Sequence, residues 1–139
     1  MNIRISKSKY LNGLQCKKLL WYIYNEPEAI PEPDDATQAI FDQGHLVGDY
    51  AKKLFSNGVE VDHSGSFESG LQSTKELISK RVPIFEAALT YKQCYARADI
   101  LEPVGKDKWD LIEVKSSTDL KDVNYHDIGF QYYLYTGAG

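Results

Sequence analysis

Cysteine is scarce in this chain of 139 residues: Cys16 and Cys94 stand alone. They form neither the paired spacing of a zinc site nor a disulfide framework. No apolar run approaches the length of a membrane span, and the opening MNIRISKSKY has no apolar centre of the kind a secretory signal needs. A cytoplasmic protein with no membrane partner is therefore expected. Positive charge is not in excess either. A formal net charge of −4 argues against a protein that coats nucleic acid through bulk charge, while leaving room for a local basic groove. Proline is concentrated: three of five lie in EPEAIPEPDDA (26–36), beside five acids. That stretch reads as a linker or extended surface loop.

The length suits one domain with a moderate core. Residues 1–25 contain an N-terminal helix over 6–25, with Tyr10, Leu14, Leu20, Trp21 and Tyr24 at helical spacing behind a Ser6 or Ser8 cap. Arg4, Lys7, Lys9, Lys17 and Lys18 make it the most basic segment, either a solvated face or a phosphate-contacting one. Residues 37–56 form the clearest amphipathic helix, with Ile40, Val47, Ala51 and Leu54 on one stripe and Asn57-Gly58 as an αL stop. His45 points away from that stripe and by itself reads as solvent-exposed. A short strand and a Gly/Ser loop follow, where His63 reads as surface. A short helix covers 71–80.

Three strands come next, at 82–91, 94–104 and 108–118, joined by turns short enough for an antiparallel meander. In KWDLIEVKSST, Trp109, Leu111, Glu113 and Lys115 share one face. Glu113 and Lys115 are two residues apart, about 6.6 Å along a strand. An acid and a base at the exit of a buried strand can flank a metal ion and a water, or form an ordinary ion pair. The preceding strand carries Asp99, and the hairpin turning at 103–108 brings it near Glu113. The first strand carries Glu86, an acid in an apolar run. It sits at a solvated edge or meets a cation, because an unpaired buried acid is costly. The last helix, 124–136, projects Gln131 and Tyr135 from one face. Most of its aromatics read as packing.

An Asp on one strand, Glu-x-Lys on the next and Gln-x-x-x-Tyr on the following helix resemble the PD-(D/E)xK phosphodiesterases, and within them the RecB-like branch. The opening KYLNGLQCKKLLWYIY is also similar to that branch, and the likeness runs over nearly the whole chain. It extends to the N-terminal part of a bacterial RecB-like family and to CRISPR-associated RecB-like exonucleases. The resemblance implies an α/β (α+β) fold with a restriction-endonuclease-like αβββαβ core. This would be a three-stranded antiparallel meander flanked by helices, in a single domain whose core spans 37–139. The last core strand is not in the sequence, which points to a fragment.

The implied function is a metal-dependent nuclease that cleaves DNA, single- or double-stranded, as an exonuclease. Asp99 and Glu113 would be Mg²⁺ or Mn²⁺ ligands, with the Val114 carbonyl and Glu86 as further ligands. Lys115 would orient or help deprotonate the attacking water. Gln131 and Tyr135 would position DNA or support the site. The branch also implies a helical metal-binding histidine. The place four residues after Gly44 holds Gly48, and His45, on another face, is the available candidate. Some members bind a [4Fe–4S] cluster. Cys16 resembles its first ligand, and the other ligands would lie in a longer protein; a plain buried thiol is the alternative. A dimer or a partner would complete the sheet. Against this stands a catalytically inactive module of the same fold that binds nucleic acid or a protein. A structural domain whose acids are surface charges is the third reading.

Overall fold

Side-chain caps set where the helices begin. A computed structural model describes residues 4–139. The Ser6 hydroxyl accepts from Lys9 N–H to start α1 (Lys7–Gln15), and Cys16 Sγ accepts from Leu19 N–H to start α2 (Lys17–Asn25). The expected helix over 6–25 is thus two helices, and its first expected domain residues, 1–3, lie outside the described range. The break is at Cys16, whose extended backbone (φ −156°, ψ 111°) ends one helix and caps the next. Gly13 packs against Leu20 where α2 folds back on α1; a Cβ there would lie 2.8 Å from Leu20 Cδ2. Helical periodicity cannot register such a corner, since the apolar spacing continues across it.

After a single 3₁₀ turn at Pro27–Ala29, Asp34 accepts from Thr37 N–H and opens α3 (Asp35–Lys52). The expected αL stop at Asn57-Gly58 is not formed. The helix ends at Lys52, and the chain winds on through the turns Leu54 N–H to Ala51 O and Phe55 N–H to Lys52 O. Gly58 is needed for another reason: the Phe85 ring occupies the space a Cβ would take. Val47 and Ala51 of the expected stripe are half-buried, but Ile40 and Leu54 are exposed, and α3 fully buries none of its residues. α4 (Phe67–Lys80) begins four residues before the expected helix, because Ser66 caps it through Ser69 N–H; the intervening Ser and Gly residues resemble a loop in composition only.

β3 (Ile84–Tyr91), β4 (Cys94–Val104) and β5 (Lys108–Ile112) form the antiparallel meander, with Ala87 opposite Ala98 and Leu101 opposite Leu111. Two short strands extend it into a mixed sheet. β2 (Val59–Glu60) runs parallel to the start of β3. β1 (Ile5–Ser6) runs parallel to the start of β4, so that β1 and β5 share one edge of β4 at opposite ends. The third strand stops at Ile112, not at 118. There the Asp99 carboxylate takes the Val114 N–H at 2.7 Å, and the chain leaves the ladder. α5 (Asp122–Ala138) is followed among the described residues by no further strand. The whole is a mixed α/β domain of five α-helices and five strands among the described residues. None of those helices is long and apolar enough to cross a membrane.

The core gathers Val61, Leu77, Ile84, Ala87, Ala98 and Leu101, with Trp109, Leu111 and Tyr135 packed on it. α4 is fastened to β3 by a fully buried hydroxyl. Thr74 Oγ1 donates to Gly70 O and accepts from Ala88 N–H, both at 2.9 Å. Thr74→Val keeps the shape and deprives Ala88 N–H of this acceptor. The expected loss is about 1–3 kcal/mol of unfolding free energy, the cost of an unmet buried donor, measured by urea denaturation. A variant as stable as the parent would show that Ala88 finds another acceptor.

Candidate active site

Four elements deliver charged side chains to one place. β4 carries Asp99. The chain leaving β5 carries Glu113, Val114 and Lys115. α5 brings Asp127, Gln131 and Tyr135, spaced by four so that they follow one face of the helix. The first residue of α1 brings Lys7. The stack of Tyr10 on Phe130, centroids 4.8 Å apart, holds α1 against α5.

Glu113 is the hub. Its Oε1 accepts from Lys115 Nζ at 2.7 Å and from Lys7 Nζ at 3.0 Å; its Oε2 accepts from Lys7 Nζ at 3.0 Å and from Gln131 Nε2 at 2.7 Å. Asp127 accepts from Lys115 at 2.8 Å and from Gln131 at 2.9 Å, with Lys7 Nζ 3.8 Å away. Gln131 is fully buried and spends its amide protons on the two carboxylates, leaving Oε1 without a partner.

The environment moves these groups in different directions. Burial raises the pKa of Glu113, and the neighbouring Asp99 charge adds to this, against the pull of Lys7, Lys115 and Gln131. Burial would raise Asp127 as well, but the hydrogen bond from Lys115 and the charges of Lys7 and Lys115 outweigh it, and its pKa falls below the ordinary carboxylate value. For Lys115, burial works downward, yet its hydrogen bonds to Asp127 and Glu113 prevail and carry it up to about 12. It is an ammonium throughout the neutral range.

A cavity of about 510 Å³ opens between α3 and the strand ends. His45, Glu86, Asp99, Glu113, Val114 and Lys115 all line it, so every metal-ligand candidate of the sequence borders one space. On the α3 side, Gly44 and Gly48 have nothing within 4 Å of an added Cβ, which leaves helix backbone open to an occupant. Three carboxylates, a main-chain carbonyl and an imidazole are a mostly hard donor set suited to Mg²⁺ or Mn²⁺. In the present side-chain positions, no three His, Cys, Asp or Glu side chains converge as a metal-ligand group among the described residues. The Asp99 and Glu113 oxygens are engaged by Val114 N–H and by the two lysines.

Glu86 departs from the regular strand. It has φ 55° and sits opposite Asp99, between the ladder pairs Phe85–Ile100 and Ala87–Ala98. A non-glycine residue held there costs about 1–3 kcal/mol and persists only when its surroundings enforce it. Two contacts do so. His63, read from sequence as surface, donates its Nε2–H to the Glu86 carbonyl at 2.9 Å. The Tyr135 hydroxyl sits between the strands beside this step, donating to Ala87 O and accepting from Ala98 N–H at 2.8 Å. Burial raises the pKa of Tyr135 and keeps it a neutral phenol.

Gln131 and Tyr135 therefore lie behind the cavity wall. Cys16 is exposed between α1 and α2, which corrects the reading of it as a buried thiol, and Cys94 is half-buried at the start of β4. Asp127 and Lys7 were not singled out as site residues from the sequence. Asp127 had a usable signal, lying one turn before Gln131 on the face of α5 already identified. Lys7 had none beyond its charge, as 106 residues separate it from Glu113. Compared with known proteins, the chain matches no family model, no curated protein and no solved structure.

The lowered pKa of Asp127 carries a stability prediction. A depressed carboxylate contributes stability above its unfolded pKa, and this is lost as pH falls through the folded value. Asp127→Asn should cost about 3 kcal/mol near pH 7, the low end for breaking a buried pair, because Lys115 keeps Glu113. The difference should shrink as pH falls through the folded value. Urea melts of both proteins across pH 2–8 measure it, and a difference independent of pH would contradict the ionic origin.

Proposed function

We propose that this chain carries the site of a metal-dependent phosphodiesterase that hydrolyses DNA, built on a restriction-endonuclease-like core of the RecB-like PD-(D/E)xK kind. The observation that supports this best is spatial. Glu86, Asp99, Glu113, Val114 and Lys115, from three successive antiparallel segments, border one open cavity. A phosphodiester is anionic and repels nucleophiles. Mg²⁺ or Mn²⁺ bound among these oxygens would neutralise that charge and lower the pKa of a water. Asp99, Glu113 and the Val114 carbonyl would hold the ion, with Glu86 and His45 within the same walls.

Lys115, protonated at neutral pH, suits charge neutralisation and orientation of the water better than removal of its proton. Gln131 fixes the Glu113 carboxylate from behind. Tyr135 stabilises the strand step that aims Glu86 and Asp99, so both are positioning residues. On the same resemblance the action is exonucleolytic on single- or double-stranded DNA. Cys16 alone holds no iron–sulfur cluster; that part of the resemblance needs cysteines beyond the two present. One observation favours the second reading, a nuclease-fold module that binds without cutting: Lys7 and Lys115 already neutralise Glu113.

The full chain, incubated with Mn²⁺, should degrade end-labelled linear DNA and spare covalently closed circles. Lys115→Ala should reduce the rate by about 10²–10³-fold, the usual loss when one charge-stabilising group is removed. Cleavage unchanged by Lys115→Ala would remove the mechanism. Absence of cleavage together with DNA binding would establish the non-catalytic module.

A further inference from the structure

Lys7 has no part in the mechanism above, yet its ammonium holds both oxygens of Glu113. It lies 3.0 Å from both oxygens of Glu113 and 3.8 Å from Asp127 Oδ1. Both oxygens of Glu113, a ligand in the metal-dependent reading, are thus taken by Lys7. Other contacts also hold α1 in place. Ile5 N–H pairs with Gln93 O at 2.8 Å, Ser6 caps the helix, and Tyr10 stacks on Phe130.

A metal ion bound to Glu113 would have to take one of that carboxylate's contacts from Lys7. There is room for the exchange, since Lys7 also borders a second cavity of about 420 Å³, lined with Ser8, Glu86, Arg97 and Asp99. The lysine is one-fifth exposed and is carried on the first turn of a helix, so its side chain can leave Glu113 without moving the sheet.

We infer that Lys7 is a built-in monovalent occupant of the carboxylate site, displaced from Glu113 when a divalent cation binds; the inference rests on the metal-dependent reading above. The lysine keeps the buried acids neutralised in the metal-free protein. It also lowers the apparent affinity for metal, because only the fraction of molecules with Lys7 withdrawn can accept the ion. Metal affinity is then set by competition within the chain as well as by the ligands.

Calorimetric titration of Mn²⁺ into the full wild-type chain, Lys7→Met and Lys7→Arg tests this. Lys7→Met should bind about tenfold more tightly than wild type, while Lys7→Arg, which restores the charge, should stay within about threefold of it. Binding that is equal or weaker in Lys7→Met, with wild type binding measurably, overturns the inference and leaves the metal reading standing. Binding to none of the three overturns the metal reading and this inference with it. A measurement on wild type alone covers the case in which Lys7→Met does not fold. The ¹⁵N resonance of the Lys7 ammonium should lose its protection from exchange on saturation with Mg²⁺. A Lys7 signal unchanged at saturation overturns the inference.

Discussion

Lys115 ties a strand exit to a helix. Its ammonium bridges Glu113, just past the end of β5, and Asp127 on α5, at 2.7 and 2.8 Å. Two carboxylates this close and this buried would repel one another in the absence of a cation. The bridge therefore does more than join two elements: it makes the juxtaposition of those acids tolerable. Gln131 completes it from the buried side with two amide protons, and Lys7 from the open side. The arrangement of α1, β5 and α5 around the site follows from that shared need for positive charge and donors.

The second constraint lies in the backbone. The ladder between β3 and β4 is regular except at the step where Glu86 faces Asp99. There the Tyr135 hydroxyl enters between the strands, His63 takes hold of the Glu86 carbonyl, and the Asp99 carboxylate draws Val114 N–H out of the β5 ladder. Three side-chain contacts replace ordinary strand pairing within a few residues. Strain of this kind is concentrated where a fold serves a purpose other than its own stability. It coincides with the wall of the acid-lined cavity between α3 and the strand ends.

The α3 helix has a different standing. It fully buries none of its residues and leaves Ile40, Phe41, Leu46 and Tyr50 exposed. Its inner face, with Gly44, Gly48 and His45, forms the opposite wall of the cavity. The two glycines leave the helix backbone open on the cavity side.

Much of this was legible in the linear chain. Alternation placed the meander, and β4 runs over the residues that its apolar pattern marks, 94–104. The spacing of Asp99, Glu113 and Lys115 was readable because a short hairpin makes separation in sequence a guide to separation in space. Element ends were less legible: β5 stops six residues early because a side chain from another strand captures its backbone, and α1 breaks at Cys16 where the apolar spacing runs on unbroken. Local pattern by itself determined the three strands of the meander, the helical character of the flanking segments and the acids near the strand exits, since those depend on neighbours within a few residues. Only the tertiary structure decided that Lys7 would share Glu113 with Lys115, that Asp127 would join them, and that His63 would brace Glu86. Charges and donors distant in the chain find one another only after the sheet and helices have packed, and no periodicity in the sequence records which of them will meet.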